Sequence, residues 1–422
     1  MSTPSTVAPE GLVADSEFAR IWPGSSVSRV PYWVYTAADV YRREQERIFA
    51  GPFWNYVALA AEIPRPGDFV RTFVGGHPII VVRAEDGAIN AVLNRCAHRG
   101  LEFCMERSGN ARRFVCPYHQ WTYGLDGTLR GVPFRRGVGG NGGMPADFEP
   151  AEHGLRRLAV AERNGVVFAS LDHAVPPLEA YLGAQMTQYF DRVFDGRELT
   201  VLGYQRHRIP ANWKLIFENI KDPYHASLLH VFLVSLGLFR ADQPSRVLMD
   251  ATGQHAVLSS RRGEQRHTAA TADIENLDTS LRLADPNMLV PAKEFAGPET
   301  VVMQTLWPNL MIQQQTNTLA MRQIVTRAAG VTELHWTYFG YADDDAEMTR
   351  RRLRQANLQG PAGLVGIDDW EVLAYNQRGL QGSDDAEAVV EMGGHGTEDT
   401  EHMVTEVAIR AFYRHYRQVM GL

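Results

Sequence analysis

Two short motifs that each pair a cysteine with a histidine lie in the first third of the chain. Cys96-x-His98 and Cys116-x-x-His119 are separated by 17 residues, and they hold two of the three cysteines in 422 residues. Thiolates and imidazoles grouped in this way bind zinc or an iron–sulfur cluster. The motifs therefore predict two tight loops that bring four ligands to one metal site.

A structural zinc site is one interpretation of these four residues. Zinc fingers usually place two cysteines close together and the histidines in a separate pair, whereas here each half of the motif supplies one of each. That division suits a two-iron cluster in which two imidazoles replace two thiolates and raise the reduction potential. The segment resembles the Rieske [2Fe–2S] pattern, with Cys96, His98, Cys116 and His119 as ligands. Cys104 matches no ligand position and is predicted to be a buried small hydrophobic residue.

The composition limits the binding partners and the cellular location that we expect. A net charge of −7 gives no indication of a nucleic acid or an anionic membrane as partner. The densest apolar run, Val231 to Phe239, is about half the length needed to span a bilayer. The polar N-terminus, which carries acids, matches no secretory or transit signal. We therefore expect a cytoplasmic protein without a membrane anchor, with reduced thiols available for metal.

The pattern along the chain predicts an α+β protein in three parts. Residues 1–50 form an N-terminal arm and helix, and residues 51–170 form a small all-β domain of short strands around the Cys/His motifs. Residues 171–422 form a larger α+β domain, an antiparallel sheet flanked by helices. Its predicted helices include Glu347 to Asn357 and a final helix from Glu398 to Val419.

A second constellation, Asp222-x-x-His225-x-x-x-x-His230, lies in the larger part. Two histidines and one distant carboxylate form the facial triad of non-haem Fe(II) oxygenases. Positions i and i+5 lie about 140° apart on a straight helix, so a helix break or π-bulge is needed to bring the rings together. Asp222 is predicted to accept from the non-ligating nitrogen of His225. Asp369 is the expected third ligand and Asp368 the alternative.

Taken together, the two constellations resemble the α subunit of Rieske non-haem iron aromatic-ring-hydroxylating oxygenases. The resemblance runs from about Arg29 to the C-terminus. It implies a [2Fe–2S] cluster, a mononuclear Fe(II), a small β subunit, commonly in an α₃β₃ assembly, and electrons from NADH through a reductase, often with a ferredoxin. It also implies that the cluster of one α subunit supplies the iron of its neighbour, with Asp222 bridging the two. A Rieske electron-transfer protein with a non-catalytic second domain is the alternative from another class.

The short spacing in ENIKDPYHASLLH resembles the branch that acts on aromatic carboxylates. Arg322, on a strand otherwise poor in charge, is the expected contact for a substrate carboxylate, with Gln314 and Gln315 as possible assistants. Met403 stands where relatives acting on terephthalate place a second arginine, which favours a monocarboxylate. The C-terminal segments are most similar to salicylate 5-hydroxylase and anthranilate 1,2-dioxygenase large subunits. The detail of this C-terminal resemblance favours anthranilate, converted to catechol, over salicylate, converted to gentisate.

Overall fold

A computed structural model describes residue 18 and residues 20–263, 268–272 and 274–422. Most of the predicted N-terminal arm, residues 1–17 and 19, lies outside the described residues. Among the residues that are described, no helix is both long enough and apolar enough to cross a bilayer. The division of the chain at residues 50 and 170 stays a prediction.

Short antiparallel strands form the part of the chain around the Cys/His motifs. The strands are β2 (Asn55–Leu59), β3 (Asp68–Val74), β4 (His77–Arg83), β5 (Ile89–Leu93), β6 (Ser108–Asn110), β7 (Phe114–Val115), β8 (Thr122–Tyr123), β9 (Leu129–Gly131), β10 (Ala159–Arg163) and β11 (Val166–Ser170). They pair in three small sheets, ordered β10-β11-β2, β5-β4-β3-β6 and β7-β8-β9. The all-β character predicted for this part is confirmed.

A seven-stranded antiparallel sheet, ordered β12-β18-β17-β16-β15-β14-β13, forms the centre of the larger part. Its strands are β12 (Leu199–Ile209), β13 (Ser245–Met249), β14 (Ala256–Ser260), β15 (Val301–Leu306), β16 (Leu310–Gln315), β17 (Thr318–Ala328) and β18 (Val331–Tyr341). A separate strand, β1 (Arg29–Pro31), pairs with β19 (Glu387–Val389) and ties the start of the chain to this part.

Helices flank the large sheet, as predicted. They are α1 (Trp33–Thr36), α2 (Ala38–Glu44), α3 (Leu178–Val193), α4 (Trp213–Lys221), α5 (Val231–Ser235), α6 (Ala346–Gln359), α7 (Leu364–Gly379) and α8 (Val407–Met420). The final helix begins at Val407, so its predicted start at Glu398 is wrong. The backbone of Thr400 instead exchanges two hydrogen bonds with Val247 at the sheet edge, which holds that segment extended.

A buried ion pair joins the N-terminal helix to the helices behind the larger sheet. Glu44, at the end of α2, pairs with Lys214 of α4, and both side chains are fully buried. Glu44 also accepts from the indole of Trp213 at 2.8 Å and from the hydroxyl of Tyr416 at 2.7 Å. One carboxylate on α2 thus accepts from three donors on α4 and α8, which offsets the cost of burying its charge.

Replacing Glu44 with Gln is expected to lower the apparent free energy of unfolding by about 3 kcal/mol or more, because it removes the carboxylate that pairs with the buried Lys214 ammonium. Urea denaturation of the purified protein measures this loss. Glu46→Gln, at an exposed position on the next turn, is the matched control and should change the midpoint little. Equal midpoints for the two variants would contradict the proposed role of the pair.

Candidate active site

The two Cys/His motifs fold into loops with the same backbone hydrogen bonds. The amide of Cys96 donates to Leu101 and its carbonyl accepts from Gly100; Cys116 makes the equivalent bonds with Trp121 and Gln120. The fourth residue after each cysteine has a positive φ, +72° at Gly100 and +57° at Gln120. These left-handed residues reverse the chain tightly, so each loop presents one thiol and one imidazole on the same side.

The four predicted cluster ligands lie together at the tips of these loops. The thiols of Cys96 and Cys116 are buried, and the rings of His98 and His119 are 4.6 Å apart between centroids. Burial and the neighbouring Cys96 thiol raise the pKa of Cys116. Nδ1 of His119 is buried and has no hydrogen-bond partner among the described residues. Adjacent thiols and an imidazole nitrogen without a donor or acceptor fit a metal cluster with mixed sulfur and nitrogen ligands.

Cys104, the third cysteine, is buried in the hydrophobic core of the small β domain. The side chain of Asn94 bonds to both its amide and its carbonyl, which fixes the backbone there. Burial raises the pKa of the Cys104 thiol to about 11, so the thiol stays protonated. The predicted packing role of this residue is confirmed.

The second constellation lies where the chain leaves α4. That helix ends at Lys221 with Asp222 as its C-cap, a single 3₁₀ turn follows at His225–Ser227, and His230 precedes α5. The predicted helix break is therefore present, with Pro223 just after the end of α4. It brings the rings of His225 and His230 to 5.3 Å between centroids, although four residues lie between them in the sequence.

Asp369 comes from α7 and faces both rings. Its Oδ1 lies 3.6 Å from Nε2 of His225 and 3.2 Å from Nε2 of His230, and one donor atom of each residue lies within 4.8 Å of the other two. The other ring nitrogens each face a different carboxylate. Nδ1 of His225 lies 3.3 Å from Asp222, and Nδ1 of His230 lies 3.3 Å from Asp368. Two imidazoles oriented by outer carboxylates, with a third carboxylate between them, fit a mononuclear iron.

The charges of this group also suit a divalent cation. Burial opposes protonation of His225, but hydrogen bonds to Asp222 and Asp369 outweigh it and raise its pKa to about 10. The two histidines hold the pKa of Asp369 well below its usual range despite its burial. The carboxylates thus make the site strongly attractive to positive charge, and a metal ion supplies that charge without the protons.

A cavity of about 120 Å³ opens beside these three residues. Its apolar lining comes from Ile220, Leu233, Leu238, Phe239, Met303 and Val365. Its polar lining includes Asn219, Gln315, Thr316, Arg322 and Gln359. Asn219, which sequence analysis did not assign, donates to Oδ1 of Asp369 at 3.0 Å and so holds the carboxylate in place.

Arg322 reaches the cavity from the middle of the large sheet. It is 4% exposed, and its guanidinium lies 3.9 Å from the ring centroid of Trp336 on the neighbouring strand. Burial lowers its pKa to about 10, so it stays charged at neutral pH. No carboxylate of the described chain pairs with it; it donates instead to Oε1 of Gln313. Gln314 faces away and bonds to the carbonyls of Thr300 and Thr316, so its predicted assistance is wrong.

Comparisons with known proteins agree with this architecture. A family model described as the catalytic domain of the ring hydroxylating alpha subunit matches residues 196–422, and a Rieske [2Fe-2S] domain model matches residues 53–140. The large oxygenase component of salicylate 5-hydroxylase from Ralstonia sp. is 52% identical over 95% of this chain and 96% of its own length. The anthranilate 1,2-dioxygenase large subunit from Burkholderia cepacia is 45% identical over 99% of both chains.

Among solved structures, the naphthalene 1,2-dioxygenase from Rhodococcus sp. bound to indole superimposes with a TM-score of 0.76. It is 28% identical and covers 93% of this chain and 94% of its own.

Replacing His225 with Ala removes one of the three candidate iron ligands and leaves the distant Cys/His loops intact. We expect the purified variant to lose about one iron per chain while its acid-labile sulfide and its visible cluster absorption stay at the wild-type level. His402→Ala, an exposed histidine far along the chain, is the control. Unchanged iron in His225→Ala, or loss of sulfide together with iron, would rule out this assignment.

Proposed function

This chain belongs to the family of ring-hydroxylating oxygenase alpha subunits, as the large subunit of a Rieske terminal oxygenase, and we propose that it hydroxylates a one-ring benzoate with a hydroxyl or amino group ortho to the carboxylate. The proposal rests on the environment of Arg322. A buried guanidinium without a carboxylate partner in the described chain, at the wall of a cavity beside the candidate iron ligands, calls for an anionic ligand.

The size of the cavity favours one aromatic ring. A volume of about 120 Å³ is close to that of a cavity that holds benzene, and the lining is mostly apolar. Planar carboxylates and guanidinium groups match in shape, so Arg322 would fix both the position and the orientation of the ring.

The surroundings favour one carboxylate rather than two. Met403 is fully buried in an apolar cluster with Leu233 and Phe239, which both line the cavity. A second carboxylate placed against Met403 would lose its hydration among apolar side chains. Arg262, also at the cavity, donates to the carbonyls of Gly237 and Leu289.

Salicylate, hydroxylated to gentisate, is the first candidate substrate. The chain is 52% identical to the salicylate 5-hydroxylase component and 45% identical to the anthranilate dioxygenase subunit. This reverses the order that sequence analysis favoured. Anthranilate, converted to catechol with release of ammonia and CO₂, stays the second candidate because the carboxylate contact and the size of the cavity suit both substrates equally.

In this proposal each group of residues has a separate role. Iron held by His225, His230 and Asp369 would supply the activation of O₂, with electrons from a [2Fe–2S] cluster held by the Cys/His loops. Asp222 lies 3.3 Å from Nδ1 of His225, where it would orient that ring. Members of the family work in multicomponent systems with ferredoxin or reductase partners that draw on NADH.

We further propose that a neighbouring copy supplies the electrons, in an α₃β₃ assembly with a small β subunit, and that Asp222 lies at that contact. The surface around the predicted cluster ligands supports this. His98 is exposed at the loop tips, and the adjacent side chains of Tyr118 and Phe134 are 57% and 74% exposed. Aromatic side chains at such exposure are typical of a surface that another chain covers.

Arg322→Gln should reduce kcat/KM for the aromatic carboxylate by roughly thirtyfold or more, since removing one partner of a buried charge pair costs about 2 kcal/mol or more. The loss should be much smaller with the uncharged amide of the same substrate. Arg327→Gln, on the same strand but paired with Glu333 and away from the cavity, is the matched control. Equal losses with acid and amide would contradict the carboxylate contact.

Oxygen uptake with the cognate β subunit and redox partners decides between the two substrates. We expect salicylate to stimulate uptake and to yield gentisate, because the overall identity favours that activity. Product is identified by chromatography, with uptake in the absence of substrate as the control. Catechol from anthranilate at a higher kcat/KM would reverse the order, and no product from either would refute the proposed substrate class.

A further inference from the structure

Gln359 is a buried polar residue of the cavity that the reaction described above does not use. It is 3% exposed, lines the cavity, and its Oε1 has no hydrogen-bond partner among the described residues. A buried carbonyl oxygen without a donor is destabilising, and such groups in folded proteins are usually satisfied. A donor from a bound ligand would satisfy this one.

The position of Gln359 is fixed by its helix. Gln355, one turn earlier on α6, accepts from the hydroxyl of Thr316 at 2.7 Å and from the amide of Asn317 at 2.8 Å. Residues i and i+4 lie on the same helix face, so this anchor holds Gln359 against the cavity. At Gly360 an added Cβ would lie only 2.4 Å from the hydroxyl of Tyr338, so the end of the helix is packed closely against the sheet.

Three other polar side chains of the cavity already have partners. Asn219 donates to Asp369, Arg322 donates to Gln313, and Oε1 of Gln315 accepts from Gln313 at 2.9 Å. Among the described residues that line the cavity, Gln359 therefore provides a carbonyl acceptor that no protein donor satisfies. A carboxylate cannot donate to it, and an unsubstituted ring offers no polar hydrogen.

We propose that Gln359 determines specificity by accepting a hydrogen bond from the ortho hydroxyl or amino group of the substrate. The inference rests on the proposed function, in which Arg322 holds the carboxylate. An ortho donor satisfies the buried carbonyl, whereas benzoate or a benzoate with an ortho halogen leaves it unpaired. A site built to bind a substrate donor discriminates strongly against analogues that lack it.

The test compares kcat/KM for salicylate and for benzoate in the reconstituted oxygenase with its partner proteins. In the wild type we expect salicylate to be preferred by at least about tenfold. In Gln359→Met, which keeps the length of the side chain but removes its hydrogen bonds, that preference should fall by about tenfold, because benzoate no longer leaves an unpaired acceptor. A general loss of packing would lower both values and leave their ratio unchanged.

Gln304→Met is the matched control. Gln304 is equally buried and its Oε1 also lacks a partner in the described chain, but its Nε2 donates to the carbonyl of Met186 and it is not among the described residues of the cavity. The Gln304→Met variant should prefer salicylate over benzoate by the same factor as the wild type. An unchanged preference in an active Gln359→Met would overturn the inference.

A second measurement needs no variant. The wild type should prefer salicylate over 2-fluorobenzoate, which fills similar space and carries no ortho donor, by at least about tenfold. Equal kcat/KM values for the two compounds would overturn the role of Gln359 and leave the proposed carboxylate substrate standing. Failure to act on any benzoate would instead refute the proposed function, and this inference with it.

Discussion

The approach of Asp369 to both histidine rings is the interaction on which the catalytic half of the chain depends. His225 and His230 come from a break after α4, whereas Asp369 comes from α7, and nothing local holds these segments together. Asn219 adds a hydrogen bond from α4 to the same carboxylate oxygen. Asp222 and Asp368 each lie 3.3 Å from an outer ring nitrogen and favour this orientation of the rings, and the approach of the two helices sets the geometry of the candidate iron site.

The sheet explains how one cation can be held at the cavity. Arg322 on β17 pairs with Met311 on β16 and with Trp336 on β18. Gln313 lies two residues beyond Met311, so the two-residue period of a strand places it on the same face as Arg322, diagonally across. Stacking on Trp336 and bonds to Gln313 orient the guanidinium without neutralising it. The charge is therefore still available for an anion.

The sequence predicted most of the metal chemistry because the ligand residues come in short, rare spacings. The Cys/His loops and the break between His225 and His230 follow from local chain geometry, and Asp369 could be named because it follows a glycine-rich apolar stretch. Gln313 could not be identified in place of Gln314 as the partner of Arg322, because that choice depends on the register of β16 against β17. The start of α8 was placed too early because Thr400 pairs with Val247, a long-range contact that helix propensity does not reveal.

The polar contacts of the cavity cannot by themselves separate salicylate from anthranilate. Both compounds have one carboxylate, and both carry an ortho group that donates a hydrogen bond, so Arg322 and Gln359 treat them alike. What differs between the two reactions is which ring carbon is attacked. Arg322 and Gln359 hold the carboxylate and the ortho group. The apolar residues of the cavity then determine how the ring tilts toward His225, His230 and Asp369, and so which carbon is attacked. Shape selects the carbon, whereas charge and hydrogen bonding select the class of substrate.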